Sequence, residues 1–131
     1  MATRYGESMD AYIWRSVLSR KVSPHGDLEF SSFQKRPCYR YIRVSDKLLV
    51  RSKSGALDPI AKVKLFNPTG IGTWYICEYD PDTRLAFGLA VLQMAEIGYF
   101  SMAELVAFRG QFGLPIERDL HWAPRRLSEC K

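Results

Sequence analysis

The sequence lacks the features that mark secreted, zinc-binding and membrane-spanning proteins. Its three cysteines, Cys38, Cys77 and Cys130, are an odd number without a Cys-x-x-Cys pair, which argues against both a disulfide framework and a zinc site. The N-terminal segment has no uninterrupted apolar stretch of the signal-peptide kind. The richest apolar stretch, residues 85–94, is about half of the roughly 18–20 residues that a membrane span needs. We therefore expect a soluble protein in a reducing, cytoplasmic setting, without a membrane partner.

Size and charge suggest one domain with an uneven distribution of cations. The 131 residues, 47% of them hydrophobic, suit a single domain over residues 1–131 with its own core. Residues 1–60 hold 11 of the 19 lysines and arginines but 6 of the 14 acids, whereas residues 61–131 hold 8 of each sign. We therefore divide the chain into a basic N-terminal region, 1–57, and a core, 58–128. Such segregation favours an anionic partner or an acidic protein surface.

The second half carries the clearer structural pattern. Strand-like stretches at residues 61–66, 73–79 and 84–92 are joined by turn sequences at 67–70 and 80–82. Ser101 and Glu104 form a capping-box pattern that begins a helix ending near Arg109, and residues 116–122 favour a last short strand.

The first half is patterned less strongly. Residues 8–21 have an apolar stripe near helical spacing, and the stretches 38–44 and 47–52 flank a two-residue polar connection that is typical of a hairpin. The predicted fold class is therefore α+β. It is an antiparallel meander of about five or six short strands, with one helix after the third strand of the meander and an additional N-terminal helix.

Two long stretches of the core resemble a known family. They are KLFNPTGIGTWYICEYDPDTRLAFGLA and EIGYFSMAELVAFRGQFGLPIERDLHW. Over about residues 60–128 they resemble a small bacterial domain of unknown function that is carried by plasmids, conjugative elements and phages. The matching marks are Lys64, Leu65, Phe66, Pro68, Thr73, Trp74, Glu78, Asp80, Phe87–Leu89, Gly98–Ser101 and Gly113–Leu120. The resemblance implies a cytosolic accessory protein of a mobile element and no particular activity; the first 57 residues match nothing recognisable.

A basic and aromatic segment is the leading candidate for a binding site. Cationic side chains neutralise phosphates, and aromatic faces stack on unpaired bases. The candidate contacts are Arg36, Tyr39, Arg40, Tyr41, Arg43, Arg51 and Lys53. The competing explanation is an edge strand that charge protects against aggregation.

A set of carboxylates offers an alternative of another class. Glu78, Asp80 and Asp82 follow one another at every second position, and Glu117, Asp119 and His121 repeat this spacing further along the chain. The candidate ligands are Glu78, Asp80, Glu117, Asp119 and His121. If the two strands were neighbours, these groups could bind Mg²⁺ or Mn²⁺ and serve a divalent-metal-dependent hydrolase or nuclease. A simpler explanation is that Asp80 belongs to a turn and that the later acids point outward.

Nucleophilic and phosphate-loop chemistry have weaker support. Each cysteine could act as a thiol nucleophile with His25 or His121 as base, but none has a recognisable activating context. The stretch 67–72 lacks the Gly-Lys-Ser/Thr of a phosphate-binding loop.

We therefore expect a binding protein rather than an enzyme, with no cofactor. Its basic N-terminal half would engage nucleic acid or a host nucleoprotein on behalf of a mobile genetic element, as an inhibitor of a bacterial defence system such as CRISPR interference. A homodimeric structural or interaction module is the third hypothesis.

Overall fold

The computed structural model describes residues 26–33 and 36–130. Nine strands occur in these ranges, and seven of them precede the longer helix: β1 Asp27–Phe33, β2 Arg36–Arg43, β3 Ile60–Ala61, β4 Val63–Phe66, β5 Thr73–Asp80, β6 Leu85–Val91, β7 Ala95–Ser101, β8 Glu117–Arg118 and β9 Arg125–Arg126. The helices of the same ranges are α1, Arg51–Ser54, and α2, Met102–Ala107. Single 3₁₀ turns lie at Val44–Asp46, Gln111–Gly113 and Leu127–Glu129.

Five strands form the central antiparallel sheet, in the spatial order β7-β6-β5-β4-β8. The turn chemistry of the sequence fixes the first connections. Asn67 closes the β4–β5 turn, because its amide donates to the carbonyl of Gly72 and its side-chain oxygen accepts from the amide of Thr69. The Asp80 carboxylate accepts from the amide of Asp82 and shapes the β5–β6 turn. The predicted strands at 61–66, 73–79 and 84–92 are thereby confirmed as β3–β4, β5 and β6.

One face of this sheet, which we call the hairpin face, carries the main core. Alternate residues of β4, β5 and β6, such as Leu65, Ile76 and Ala86, pack there in a single apolar cluster. The antiparallel pair β1–β2 covers this face with Tyr41 and Ile42, both fully buried. Five further buried residues complete the packing on this face: Leu28, Leu48, Met102, Leu105 and Ile116.

The opposite face, which we call the outer face, has a smaller cover. Its cluster joins Tyr75, Cys77 and Leu89 of the sheet to Leu127 and Cys130 of the C-terminal segment. A second short pairing, between β3 and β9, fastens this segment to the sheet. The outer face is less covered along β7, where Ile97 and Tyr99 are exposed.

The α+β prediction is wrong, because strands dominate the regular structure of the described residues and the two helices there are short. The helix follows the fourth strand of the meander and not the third, since residues 95–101 form β7 and pair along their whole length with β6. Its predicted N-cap is confirmed: the Ser101 hydroxyl accepts from the amide of Glu104 at 3.2 Å. The helix ends at Ala107. The Arg109 guanidinium donates to the carbonyl of Val106 in the last turn and to that of Phe108 just after the helix.

The predicted hairpin between 38–44 and 47–52 is also wrong. β2 pairs instead with β1. The buried carboxylates Asp27 and Glu29 interrupt the apolar pattern of β1, so the sequence did not indicate a strand there. The second stretch instead runs as extended chain, with Leu49 accepting from the amide of Tyr79, and then turns into α1. The N-terminal helix predicted for residues 8–21 lies outside the described residues. Within the described ranges, no helix has the length and apolarity to cross a membrane.

Candidate binding cleft

A cleft lies between β2 and the segment that contains β8. Its volume is about 550 Å³, within the range of about 300–1,000 Å³ that ligand pockets usually have. Its lining is polar and charged, with two aromatic side chains: Tyr39, Arg40, Arg43, Ser45, Asp46, Lys62, Glu117, Arg118, Asp119, Leu120 and Trp122. We refer to it as the cleft.

The β2 wall of the cleft presents two arginines held by one buried carboxylate. Asp27 is fully buried, and its two oxygens lie 3.5 Å from the Nε of Arg40 and 3.6 Å from the Nε of Arg43. The arginine side chains remain 35% and 42% exposed. Asp27 carries one negative charge, whereas Arg40 and Arg43 carry two positive charges. One positive charge is therefore left over on the side that faces the cleft.

The floor of the cleft is a bidentate ion pair. Arg118 on β8 donates to both carboxylate oxygens of Asp46, at 2.8 and 2.9 Å, and to the carbonyl oxygen of Tyr41 at 3.2 Å. Both side chains are mostly buried. Asp46 also accepts from the amide of Arg43, so this pair fixes the end of β2 against β8. Two parallel hydrogen bonds between a guanidinium and a carboxylate strengthen the ion pair and also fix the relative orientation of the two side chains.

Lys62 adds a further cation to the rim. Its ammonium donates to the carbonyl oxygen of Lys47 at 3.2 Å, a neutral acceptor that does not cancel its charge. On the other side, Asp119 lies 3.6 Å from the ammonium of Lys64. Four cationic and three acidic side chains line the cleft, so it is of mixed charge with a small positive excess.

Two aromatic side chains, Tyr39 and Trp122, also line the cleft. Tyr39 is half-buried and packs against the core of the hairpin face. The indole nitrogen of Trp122 donates to the carbonyl of Ala61 at 2.9 Å, which fixes the ring. The cations of Arg125 and Lys64 lie 4.3 and 5.5 Å from the centroid of this ring.

Comparison with known proteins identifies the family. Residues 42–129, which are two thirds of the chain, match the family described as protein of unknown function DUF2958. The chain belongs to this family. The resemblance to a small domain of unknown function is thus confirmed, and it begins earlier than residue 60, at Ile42 in β2. No curated protein and no solved structure matches the chain.

The DUF2958 match covers most of the cleft but leaves one wall outside. Arg43, Lys62 and Arg118 lie inside the matched range, whereas Tyr39 and Arg40 precede it. Asp27, the carboxylate that anchors both arginines, also precedes the matched range. The cleft is therefore built jointly by the family domain and by the β1–β2 pair in front of it.

The structure brings together only part of the predicted binding set. Tyr39, Arg40 and Arg43 line the cleft. Tyr41 does not: it is fully buried and donates to the carbonyl of Ile116 at 2.6 Å, so it cannot stack on a base. Arg51 lies elsewhere. The side chains of Arg36 and Lys53 fall outside the described part of the structure.

Arg51 belongs to a separate cluster on the outer face. Its guanidinium lies 3.1 Å from the carboxylate of Glu78 and 4.3 Å from the centroid of the Phe87 ring. It also donates to the carbonyl oxygen of Ala56 at 2.8 Å. These contacts close the loop after α1 onto the sheet, and they account for Arg51 without a ligand.

The premise of the metal alternative fails. Glu78 and Asp80 lie on β5 and Glu117 on β8, and β4 separates these two strands. Glu78 is paired with Arg51 and Asp119 with Lys64, while the amide of the exposed His121 donates to Asp119. In the described ranges no group of three or more His, Cys, Asp or Glu side chains could hold a metal ion.

The described thiols are not activated. Burial raises the pKa of Cys77 to about 12, and the charge of Glu78 adds to that effect. Burial also raises the pKa of Cys130. A nucleophilic cysteine needs the opposite shift. The side chain of Cys38 and the whole of His25 lie outside the described part of the structure.

Sequence reasoning missed Lys62, Arg118 and Trp122 as parts of the cleft. Arg118 and Asp46 are 72 positions apart, so no local spacing could have joined them. The sequence signal that pointed to Lys62 was the alternation of Lys62 and Lys64 with apolar residues, which predicts that both lysines lie on the polar side of a strand.

Proposed function

We propose that this protein is a non-enzymatic binding protein that takes single-stranded nucleic acid into the cleft. Arg40, Arg43 and Lys62 would contact phosphates, and Tyr39 would stack on a base. The observation that carries the proposal is the sharing of one buried carboxylate by two half-exposed arginines. A purely structural pair would be charge-balanced, whereas this arrangement keeps a fixed cation facing the cleft.

The size of the cleft favours a short single strand over a duplex. Its volume of about 550 Å³ suits a few nucleotides, and no described helix is long enough to enter a major groove. The mixed charge has a consequence for affinity. With three phosphate contacts, from Arg40, Arg43 and Lys62, the affinity would be modest. The logarithm of the association constant would fall with log salt at a slope of about −2, given roughly −0.7 per contact for single strands.

The biological setting belongs to the same proposal. The resemblance of residues 60–128 to a domain of plasmids, conjugative elements and phages supports an accessory role for a mobile genetic element. We propose that the bound strand belongs to a host nucleoprotein of nucleic-acid-based defence, such as CRISPR interference. A cell that carries such a system would then accept a targeted plasmid more often when it expresses this protein, and less so when it expresses the Lys62→Gln variant.

The binding test uses fluorescence anisotropy of labelled single strands of about 10 nucleotides, a length within the site sizes of single-strand binders. Wild-type protein should bind RNA or DNA strands. Arg40→Gln and Lys62→Gln should each weaken binding by about tenfold, since a lost charged contact costs on the order of 1.4 kcal/mol.

The matched control is Arg126→Gln, because Arg126 is exposed on β9 and does not line the cleft. It removes the same charge from the whole protein and should leave affinity within about twofold. Equal losses in Arg126→Gln and Lys62→Gln would show that net charge alone drives binding. Absence of binding by the wild-type chain at low salt would overturn the proposal.

A further inference from the structure

Strand β7 forms one edge of the central sheet. Among the described residues no strand pairs with its outer side. It runs for seven residues, pairs with β6 without a register shift, and contains Glu96 as its single charged residue. Natural edge strands are usually short, bulged, or protected by lysine or proline. β7 has none of these protections.

The hydrogen-bond pattern shows which backbone groups face outward. The amide of Leu92 donates to the carbonyl of Met94, and the amide of Met102 donates to the carbonyl of Arg84. These bonds mark the inward pairs at the two ends of β6–β7. Because such pairs alternate along an antiparallel ladder, residues 96, 98 and 100 face β6. The amides and carbonyls of Ile97 and Tyr99 therefore face away from the sheet.

Exposed apolar side chains lie along the same edge. Ile97 is 64% and Tyr99 61% exposed. Beside them on the β6–β7 hairpin are Leu85, Leu92 and Met94, at 39%, 51% and 73%. Of these, Ile97 and Tyr99 belong to β7 itself and, at about 100 Å² each, give roughly 400 Å² for a symmetric pair before the backbone edge is added. The pairing therefore belongs to the small, weak class of interface, below about 1,200 Å².

We propose that β7 pairs antiparallel with β7 of a second copy of this chain, about a two-fold axis at Gly98. The two five-stranded sheets then become one continuous sheet of ten strands. This surface lies apart from the cleft, so the proposal stands or falls independently of nucleic-acid binding.

The register follows from the backbone directions. Two outward-facing residues must meet in each hydrogen-bonded pair, and centring on Gly98 places Ile97 opposite Tyr99 of the second copy. Aromatic and β-branched side chains form favourable cross-strand pairs. The two Gly98 residues meet as a non-hydrogen-bonded pair, in which Cα atoms approach to about 4.5 Å. A single patch thus complements itself, as a two-fold interface requires.

The first test measures the molar mass of the full chain by sedimentation or light scattering over a range of concentrations. We expect a rise from 15.1 kDa towards twice that value, with a dissociation constant of about 10–100 µM, because the interface is small. Ile97→Lys should weaken the association at least about tenfold, since it places charges against the partner strand.

Ile71→Lys is the matched control. Ile71 is 63% exposed, nearly the same as Ile97, and lies in the β4–β5 turn away from β7. It should leave the mass profile unchanged. Circular dichroism of both variants verifies that they fold. A protein that stays at monomer mass at every concentration, or an Ile97→Lys variant that associates like the wild type, overturns the proposal.

The second test fixes the register. A Gly98→Cys variant should form a disulfide-linked dimer on mild oxidation, because paired Cα atoms near 4.5 Å fall within the range that disulfides span. A Cβ at Gly98 meets no atom within 4 Å in the single molecule. Glu96→Cys should not cross-link, because its partner in this register is Phe100. Equal cross-linking of both variants, or of neither, contradicts the proposed pairing; wild-type protein controls for the native cysteines.

Discussion

The hairpin face and the outer face of the same sheet are stabilised differently. The hairpin face is sealed by β1–β2, and this cover brings two carboxylates, Asp27 and Glu29, into the interior. Among the described residues, the outer face is covered by a short C-terminal segment and by the loop after α1, and it ends in an open edge. Burial of charge on one side, and exposure of apolar side chains on the other, are both departures from the usual pattern.

The difference shows which arginines the buried carboxylates hold in place. Buried carboxylates need cationic partners, and Arg40 and Arg43 supply them for Asp27 while Arg84 supplies one for Glu29. The hydrogen bond with Glu29 raises the pKa of Arg84 further. A count of lysines and arginines along the sequence therefore overstates how many of them are unpaired and free to bind a ligand.

The sharpest contrast between the two sides of the β6–β7 pair is expected at two facing glycines. Gly88 and Gly98 are cross-strand partners. A Cβ at Gly88 would lie 1.8 Å from the carbonyl oxygen of Tyr75, at the bulge of β5, whereas a Cβ at Gly98 meets nothing. Gly88→Ala should cost about 3 kcal/mol or more in the free energy of unfolding, and Gly98→Ala under about 1 kcal/mol. Urea denaturation measures both; equal costs would refute the contrast.

A second contrast compares a buried ion pair with a partly exposed one. Glu29 is 1% exposed and accepts from Arg84 at 2.7 and 3.0 Å and from the Tyr79 hydroxyl. Glu29→Gln leaves the guanidinium facing a neutral amide, so we expect a loss of about 2–3 kcal/mol, below the full buried-pair cost because Arg84 is 35% exposed.

Asp119→Asn is the matched carboxylate-to-amide change in the partly exposed pair with Lys64. It should cost about 0.5 kcal/mol. Thermal unfolding of both variants beside the wild type tests the difference. A Glu29→Gln protein as stable as Asp119→Asn would show that the buried network contributes nothing beyond a surface pair.

Alkaline pH should separate one titrating group on each face. Burial raises the pKa of Tyr41, on the hairpin side, from 10.0 to about 12, against the opposing effects of Ser31 and Arg109. The Cys77 pKa, on the outer side, rises from 9.0 to about 12. Because the folded pKa is above the unfolded one, the proton is bound more tightly in the folded protein. Stability is thus fully present below pH 9 and falls as pH rises towards about 12.

The Tyr41→Phe variant should lose the Tyr41 share of this decline, which falls between about pH 10 and pH 12 and is at most roughly 2–3 kcal/mol. It should keep the Cys77 share, which begins near pH 9 and continues to about pH 12. Urea titrations at about pH 8, 10 and 11 measure the difference. An unchanged pH profile in Tyr41→Phe would mean that the phenol does not titrate differently in the folded and unfolded chain.

Local signals in the sequence predicted the parts of the fold that are determined locally. Asn67 and Asp80 built their turns, and Ser101 capped its helix, because each acts within three residues. β7 was missed because Gly98 weakens its strand pattern and because the turn before it, residues 92–94, contains no typical turn residue. β1 was missed because its polar residues are buried by long-range pairing, as with Glu29 and Arg84, 55 positions apart.

The candidate site divides in the same way. The alternating segment around β2 predicted Tyr39, Arg40 and Arg43 as one group, and they do line the cleft. Tyr41 was predicted as a contact as well, but it faces the core, because bulges in the β1–β2 pairing shift which residues are buried. The opposite wall, with Arg118, depends on tertiary contacts that no spacing encodes.

The salt dependence of single-strand binding tests the central claim most directly. Between about 50 and 200 mM salt, the logarithm of the wild-type association constant should fall with log salt at a slope of about −2, and Lys62→Gln should reduce that slope by about 0.7 while Arg126→Gln leaves it unchanged. A slope near zero, or an identical slope in all three proteins, would contradict phosphate binding in the cleft.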